Sequence, residues 1–303
     1  MPESMDLHLH TRASDGQWTP AGLIARARAI GVGTIAVTDH DVTDAVHPAR
    51  SLGASAAITV IPGVEVTVHW RKVPLHLLVY GEPVLGATVS ALLARARESV
   101  DQWVRFRANA LPDGLERSRL LTRNDTLSVA ALVRAARGCG VAISHGMPDE
   151  KVNPLHLAAI PGLDLTEVAD IAHSVGAVPI LAHPMRVGTL TRALDIHTLE
   201  ALLDEVPAIL GVEVMHPRHG QPQREALAEL ASRRAILVTA GSDSHGPARA
   251  RPPIGWPEEL SRDFLDEQAG QCGYCLSGIL ISAKALLDRN PRPSRSEIAA
   301  ALD

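Results

Sequence analysis

Short runs rich in Val, Ile and Leu alternate along the chain with stretches in which Ala, Leu, Arg and Glu recur at helical spacing. The runs predict strands at 5–10, 34–38, 58–67, 75–80, 141–144, 177–182, 211–215 and 236–239. Strands buried on both faces, as in a parallel sheet, read in this near-continuous apolar way. Between them the pattern predicts helices. Thr19-Pro20 reads as an N-cap followed by a first-turn proline ahead of 21–30, and Gly31 sits where a C-cap belongs. A second helix, 166–175, stops at Gly176, and 223–234 is a third. Repeated strand–helix alternation predicts an α/β barrel or a doubly wound sheet. Residues 86–139 break the alternation with helical composition and little strand character, which predicts a helical insertion. A proline-rich stretch at 251–257 marks the end of the α/β part.

Composition narrows the class. With 303 residues, 46% of them apolar and 21% charged, the chain is neither disordered nor a membrane protein. A net charge of −5 excludes a globally basic nucleic-acid binder but leaves room for a local basic groove. No apolar run reaches the roughly 18 residues of a membrane span, and 1–6 carry no signal-peptide pattern, so a cytoplasmic protein is expected. Three cysteines are too few for a disulfide scaffold. The unusual count is histidine: 14, against four Trp, two Tyr and two Phe.

Those histidines, with several acids, close the predicted strands. Strand one ends Asp6-Leu7-His8-Leu9-His10, and residues two apart share a face, so His8 and His10 point the same way. Asp15 follows in Ser14-Asp15-Gly16. Strand two ends Thr38-Asp39-His40-Asp41. Glu65 stands inside the apolar run Gly63-Val64-Glu65-Val66, and His76 inside Leu75-His76-Leu77. Later come Ala182-His183-Pro184 and Gly241-Ser242-Asp243-Ser244-His245. Alone, each reads as a satisfied core group. Together they put ionisable groups at the C-terminal ends of at least five strands, where barrels and open α/β sheets build their sites. Unpaired buried charges cost several kcal/mol each, roughly, whereas a metal satisfies them. Imidazole and carboxylate without thiolate favour Zn²⁺, Mn²⁺ or Fe²⁺. About nine candidate ligands exceed the needs of one ion, so two or three divalent metals are expected, with Glu65 suited to bridging.

In this order the motifs resemble the PHP (polymerase and histidinol phosphatase) superfamily over residues 5–257, most closely the branch of nucleoside 3′,5′-bisphosphate phosphatases and RNA 5′→3′ exonucleases. The resemblance implies a distorted (β/α)7 barrel spanning 1–261 and a multinuclear metal centre. It implies one metal on His8, His10, Glu65 and Asp243, a second on Glu65, His76 and His183, and a third on Asp15, His40 and His245. Ala182-His183-Pro184-Met185-Arg186 keeps the arginine expected to grip a phosphate, and His219 sits where a phosphate-contacting polar residue is expected. Arg97, in the insertion, is the candidate for a second substrate phosphate; Arg95, Arg105 and Arg107 read as a solvated face. His145 is left open, and His47, His69, His156, His173, His197 and His216 read as ordinary histidines. The implied activity is hydrolysis of a phosphomonoester by a metal-activated hydroxide, with the 3′-phosphate of a nucleoside 3′,5′-bisphosphate as first choice. Histidinol phosphate and the 5′ end of short RNA are the alternatives.

From about Asp266 the sequence changes character. Gln271-Cys272-Gly273-Tyr274-Cys275 and its surroundings resemble the helical [2Fe–2S] domain of the xanthine dehydrogenase family. A cluster takes four thiolates, and no second pair follows Cys275, so 262–303 reads as a fragment of that domain with no intact cluster expected. An iron–sulfur electron-transfer module and an inactive PHP-like binding domain are therefore the weaker classes of function.

Overall fold

The computed structural model describes residues 4–123, 127–141, 143–144, 155–156, 161–186 and 193–247. In chain order the elements are β1 (Ser4–Asp6), α1 (Pro20–Ala29), β2 (Val32–Val37), α2 (Val46–Ala56), β3 (Thr59–Trp70), β4 (Val73–Tyr80), α3 (Ala87–Ala108), α4 (Leu115–Leu121) and α5 (Val129–Gly138). They continue with β5 (Ile143–Ser144), β6 (Leu155–His156), β7 (Leu163–Asp164), α6 (Leu165–Ser174), β8 (Val178–Leu181), α7 (Ile196–Glu205), β9 (Gly211–Met215), α8 (Gln221–Arg234) and β10 (Leu237–Ala240). The main sheet runs β1-β2-β3-β4-β8-β9-β10, with β7 paired to β3, and β5 and β6 form a separate pair. The predicted caps form: Thr19 Oγ1 accepts the Gly22 N–H at 3.0 Å to start α1, and Gly31 follows the helix at φ +75°.

One strand departs from the parallel direction that the apolar runs suggest. β4 runs antiparallel to both β3 and β8, while β1–β2–β3 and β8–β9–β10 are parallel. The cause is local. Only Arg71 and Lys72 separate β3 from β4, and both take left-handed backbone (φ 48° and 68°). A two-residue turn of that hand makes a hairpin and cannot carry a crossover.

Strand one also ends earlier than the pattern predicts, at Asp6. Beyond it the chain stitches two neighbours together. Leu7 N–H donates to Ala240 O (3.0 Å), His10 N–H donates to Ser244 O (3.1 Å), and Thr38 N–H donates to Leu9 O (2.9 Å). Leu9 thereby makes an isolated parallel bridge with Ser244. The two ends of the sheet meet through these bonds, with no ladder between β1 and β10, and the sheet curls into a barrel-like form.

The largest apolar cluster joins the helix-facing residues of β3, β4, β8 and β9 to α6, α7 and α8. Helix α3 divides its allegiance. Val89, Leu92, Leu93 and Ala96 pack into that core, whereas Val100, Val104 and Ala108 pack with α4 and α5 in a small core of their own. The helical insertion read at 86–139 thus shares its first turns with the barrel.

Candidate metal centre and family

Glu65 stands at the centre of the site. It lies on β3, 1% exposed, and five imidazoles reach it. His8 Nε2 and His10 Nε2 are each 3.1 Å from Oε2, and His40 Nδ1 is 3.3 Å from the same oxygen. His76 Nδ1 and His183 Nε2 lie 2.9 and 3.0 Å from Oε1. The five rings arrive from four segments: His8 and His10 from the stitch after β1, His40 from beyond the end of β2, His76 from β4, and His183 from beyond the end of β8. Asp243 Oδ1 adds a second acceptor, 3.2 Å from His10 Nε2 and 3.6 Å from His8 Nε2. At the rim, Asp15 Oδ1 lies 3.3 Å from His245 Nε2 and 3.8 Å from His10 Nδ1.

All nine residues read from sequence as ligands are therefore brought together. Among the described residues, four groups have donor atoms close enough to share an ion: His8, His10, Glu65 and Asp243; His10, Asp15, His40 and His245; His40, Glu65 and His76; and His8, His183 and Glu213. The first is the set expected from the sequence. The second adds His10 to the expected third set.

The donors also fit metals chemically. His8 Nε2, both nitrogens of His10, His40 Nδ1, His76 Nδ1, His183 Nδ1 and Glu65 Oε2 are buried without a hydrogen-bond partner. Buried polar atoms are ordinarily paired, and lone pairs converging this way are what a divalent cation satisfies. The electrostatics without an ion are severe. Burial raises the Glu65 carboxyl, but His8, His76 and His40 outweigh it and hold it well below the usual range. Burial lowers His8, yet Glu65, Glu213 and Asp243 lift it well above its ordinary value. His10, opposed by burial but facing the carboxylates of Asp243 and Glu65, is raised to about 10. His40 goes the other way, pushed by burial to about 3 despite Glu65. Two ligand positions also carry left-handed backbone, His183 (φ 28°) and Asp243 (φ 52°); strained residues of this kind gather at functional sites.

Arg186 follows β8 and is half-buried. Its guanidinium pairs with Asp243 Oδ2, so the expected phosphate grip is engaged by an acid of the cluster. His219 is buried, its ring held by Nδ1 against Val214 O at 2.9 Å. Arg97 lies half-buried on α3 with no hydrogen bond or ion pair among the described residues. His145 lies outside the described residues. His216, read from sequence as ordinary, is fully buried beside the cluster: Nδ1 accepts the Arg218 N–H at 3.1 Å, and Nε2 is 3.5 Å from Asp243 Oδ2.

Glu213 is the residue the sequence reading missed. It is fully buried on β9, with Oε1 3.0 Å from His8 Nδ1. The signal was present: Gly211-Val212-Glu213-Val214 repeats Gly63-Val64-Glu65-Val66 letter for letter. Asp39, which accepts from Thr11 and Ser14, and Asp41, which accepts from Thr67, support the loops beside His40.

Known proteins share this framework. The PHP domain profile matches residues 6–128. The 5′-3′ exoribonuclease Rnm of Escherichia coli is 31% identical over 258 residues, 80% of this chain and 85% of that protein. The chain belongs to the PHP family. A second PHP relative, the 3′,5′-nucleoside bisphosphate phosphatase of Chromobacterium violaceum, is 28% identical over 85% of this chain and 92% of its own length. An amidohydrolase structure from Chromobacterium violaceum shares the fold at TM-score 0.69 and 23% identity, covering 86% of this chain and 96% of that one. As a PHP protein with a histidine–carboxylate cluster, the chain is a hydrolase of the metal-dependent phosphoesterase class. A [2Fe-2S] binding domain profile matches residues 249–303. A stretch of 42 residues, 14% of the chain, is 55% identical to a nicotinate dehydrogenase subunit of Pseudomonas putida, covering 27% of that protein. No helix among the described residues is long and apolar enough to cross a membrane.

Proposed function

We propose that the chain removes a phosphate from a small phosphorylated substrate, first of all the 3′-phosphate of a nucleoside 3′,5′-bisphosphate. The observation that carries the reading is the convergence of five imidazoles on Glu65, with the Glu65-facing nitrogens of His8, His10, His40 and His76 left without a hydrogen-bond partner. Three ions, Mn²⁺ by preference, would be held by His8, His10, Glu65 and Asp243; by Glu65, His76 and His183; and by Asp15, His40 and His245. Bound there, they supply an acidified water and positive charge against phosphate oxygens.

The chain's own residues do the rest. Arg186 exchanges its Asp243 partner for substrate phosphate, where a planar fork meets two oxygens at once. His219, its Nδ1 already donating to Val214 O, has a buried Nε2 without a partner and answers the same charge when the ring is protonated and Nε2–H can donate. Arg97 takes the second phosphate. Positioning and charge neutralisation of this kind account for most of the rate in phosphoryl transfer. The named activities of the Chromobacterium violaceum and Escherichia coli relatives support two substrate arms, a bisphosphonucleoside and the 5′ end of short RNA.

The phosphoesterase unit takes residues 1–261, and 262–303 form a separate tail. The proposed chemistry draws on the histidine–carboxylate cluster with Arg186, His219 and Arg97, and assigns the tail no part in hydrolysis. The enzyme is read as one that acts in the cytoplasm, in keeping with its few cysteines. The test is phosphate release from 3′,5′-bisphosphonucleosides, histidinol phosphate and 5′-phosphorylated oligoribonucleotides with Mn²⁺ added, wild type against His183→Ala. Turnover that survives the substitution, or that is absent on every arm, refutes the proposal.

A further inference from the structure

We infer that Glu213 is a positioning residue that fixes the tautomer of His8, so that Nε2 faces the metal centre with its lone pair free. The inference rests on the metal-centre reading above and goes beyond it to a residue outside the ligand set.

The geometry is specific at both carboxylate oxygens. Oε1 is 3.0 Å from His8 Nδ1, on the side of the ring away from Glu65. Oε2 accepts the main-chain N–H of His183 at 2.9 Å. An ionised carboxylate only accepts, so the first contact places the His8 proton on Nδ1. That leaves Nε2, which is 3.1 Å from Glu65 Oε2, as the nitrogen for an ion. The second contact pins the residue whose backbone sits at φ 28°. One side chain on β9 thus orients a ring after β1 and a peptide after β8. With both oxygens engaged in this way, Glu213 works through its neighbours and not as a ligand in the His8–His183–Glu213 grouping.

The surroundings are shaped for this contact. A Cβ at position 241 would overlap His8 Cβ and stand 2.7 Å from Glu213 Oε1. Gly241 is the residue that lets His8 and Glu213 approach each other.

The isosteric amide gives an unusual prediction. In Glu213→Gln the amide oxygen must face the His183 N–H, because the amide nitrogen cannot accept it. The NH₂ then faces His8 Nδ1 and forces the ring proton to Nε2, against the ion. In Glu213→Ala the ring chooses its own tautomer. Both variants are made in the full chain, checked for folding by circular dichroism, and titrated with Zn²⁺ by calorimetry, with bound zinc counted by mass spectrometry. Glu213→Gln is expected to lose roughly 10- to 100-fold in affinity at the affected ion, the range for a lost outer partner of a metal ligand, and Glu213→Ala to lose less. A role in shape alone predicts the reverse order. In zinc-loaded wild type labelled with ¹⁵N-histidine, His8 is expected to show a slowly exchanging Nδ1–H; this measurement stands even where a variant fails to fold. Wild-type affinity in Glu213→Gln, a larger loss in Ala than in Gln, or a His8 proton on Nε2 overturns the inference. A wild-type chain that takes up no Zn²⁺ removes the metal-centre reading and this inference with it.

Discussion

Gly241→Ala tests how tightly the site is built. An alanine Cβ there would overlap His8 Cβ, lie 2.7 Å from Glu213 Oε1 and lie 2.9 Å from the His8 main-chain nitrogen. None of these is the loose end of a flexible side chain. Two belong to a residue whose backbone is stitched by Leu7 N–H to Ala240 O and by His10 N–H to Ser244 O, so relief has to come from moving that stitch. Overpacking of a close-packed interior costs about 1–3 kcal/mol, and three contacts under 3 Å place this case at the upper end, about 3 kcal/mol. For a domain of this size a change of 1 kcal/mol moves the melting temperature by roughly 2–4 °C, so a fall of roughly 6–12 °C is expected by scanning calorimetry of metal-stripped protein. Because Asp243 follows two residues later, zinc content per chain should fall as well. A variant that melts within a degree of wild type and keeps its zinc would show that the site has slack, and the argument from close approach would fail.

Zinc or manganese loading at pH 7 should release protons, since His8 and His10 carry raised pKa values in the metal-free protein and must lose a proton to ligate. Affinity therefore rises with pH through about 10, where half of His10 is still protonated; His40, at about 3, contributes nothing to this release. Calorimetry in two buffers of different ionisation enthalpy counts the protons, and equal heats in both refute the assignment. Tyr80→Phe removes the 2.7 Å hydrogen bond from the buried hydroxyl to Leu7 O. With the carbonyl left unpaired beneath the stitch, a loss of about 1–3 kcal/mol is expected in urea unfolding. Replacing Arg71-Lys72 by Asn-Gly should stabilise the β3–β4 hairpin by about 1 kcal/mol, because both positions need left-handed backbone; a lower urea midpoint would contradict that turn geometry. Arg186→Lys should raise KM for a phosphate substrate more than it changes metal content, measured on the same preparation.

Much of this was legible in the chain. The candidate ligand positions stood out because an ionisable residue inside or at the end of an apolar run is costly to bury unless something binds it, as with Glu65 in Gly63–Val66 and His76 in Leu75–Leu77. Hydrophobic runs located β9 at 211–215 correctly but were blind to direction: β4 looks as apolar as a parallel strand, and only the backbone at Arg71 and Lys72 makes it antiparallel. His216 and Glu213 were passed over for the same reason. Their importance lies in what touches them across 205 residues of chain, in the case of Glu213 and His8, and spacing along a sequence carries no such distance. Arg186 shows the converse, a residue read for its substrate whose partner in the structure is an acid of the cluster itself.

The barrel is fastened where β1 and β10 meet by a few main-chain bonds and the single bridge of Leu9 to Ser244. His8 and His10 flank one side of that fastening, and Asp243 and His245 flank the other. Ions gripped by both sides would act as rivets across a seam, so that emptying the centre and prying the wall apart become one event. Amide exchange at Leu7 and His10, slow in loaded protein, should then quicken as soon as a chelator is added.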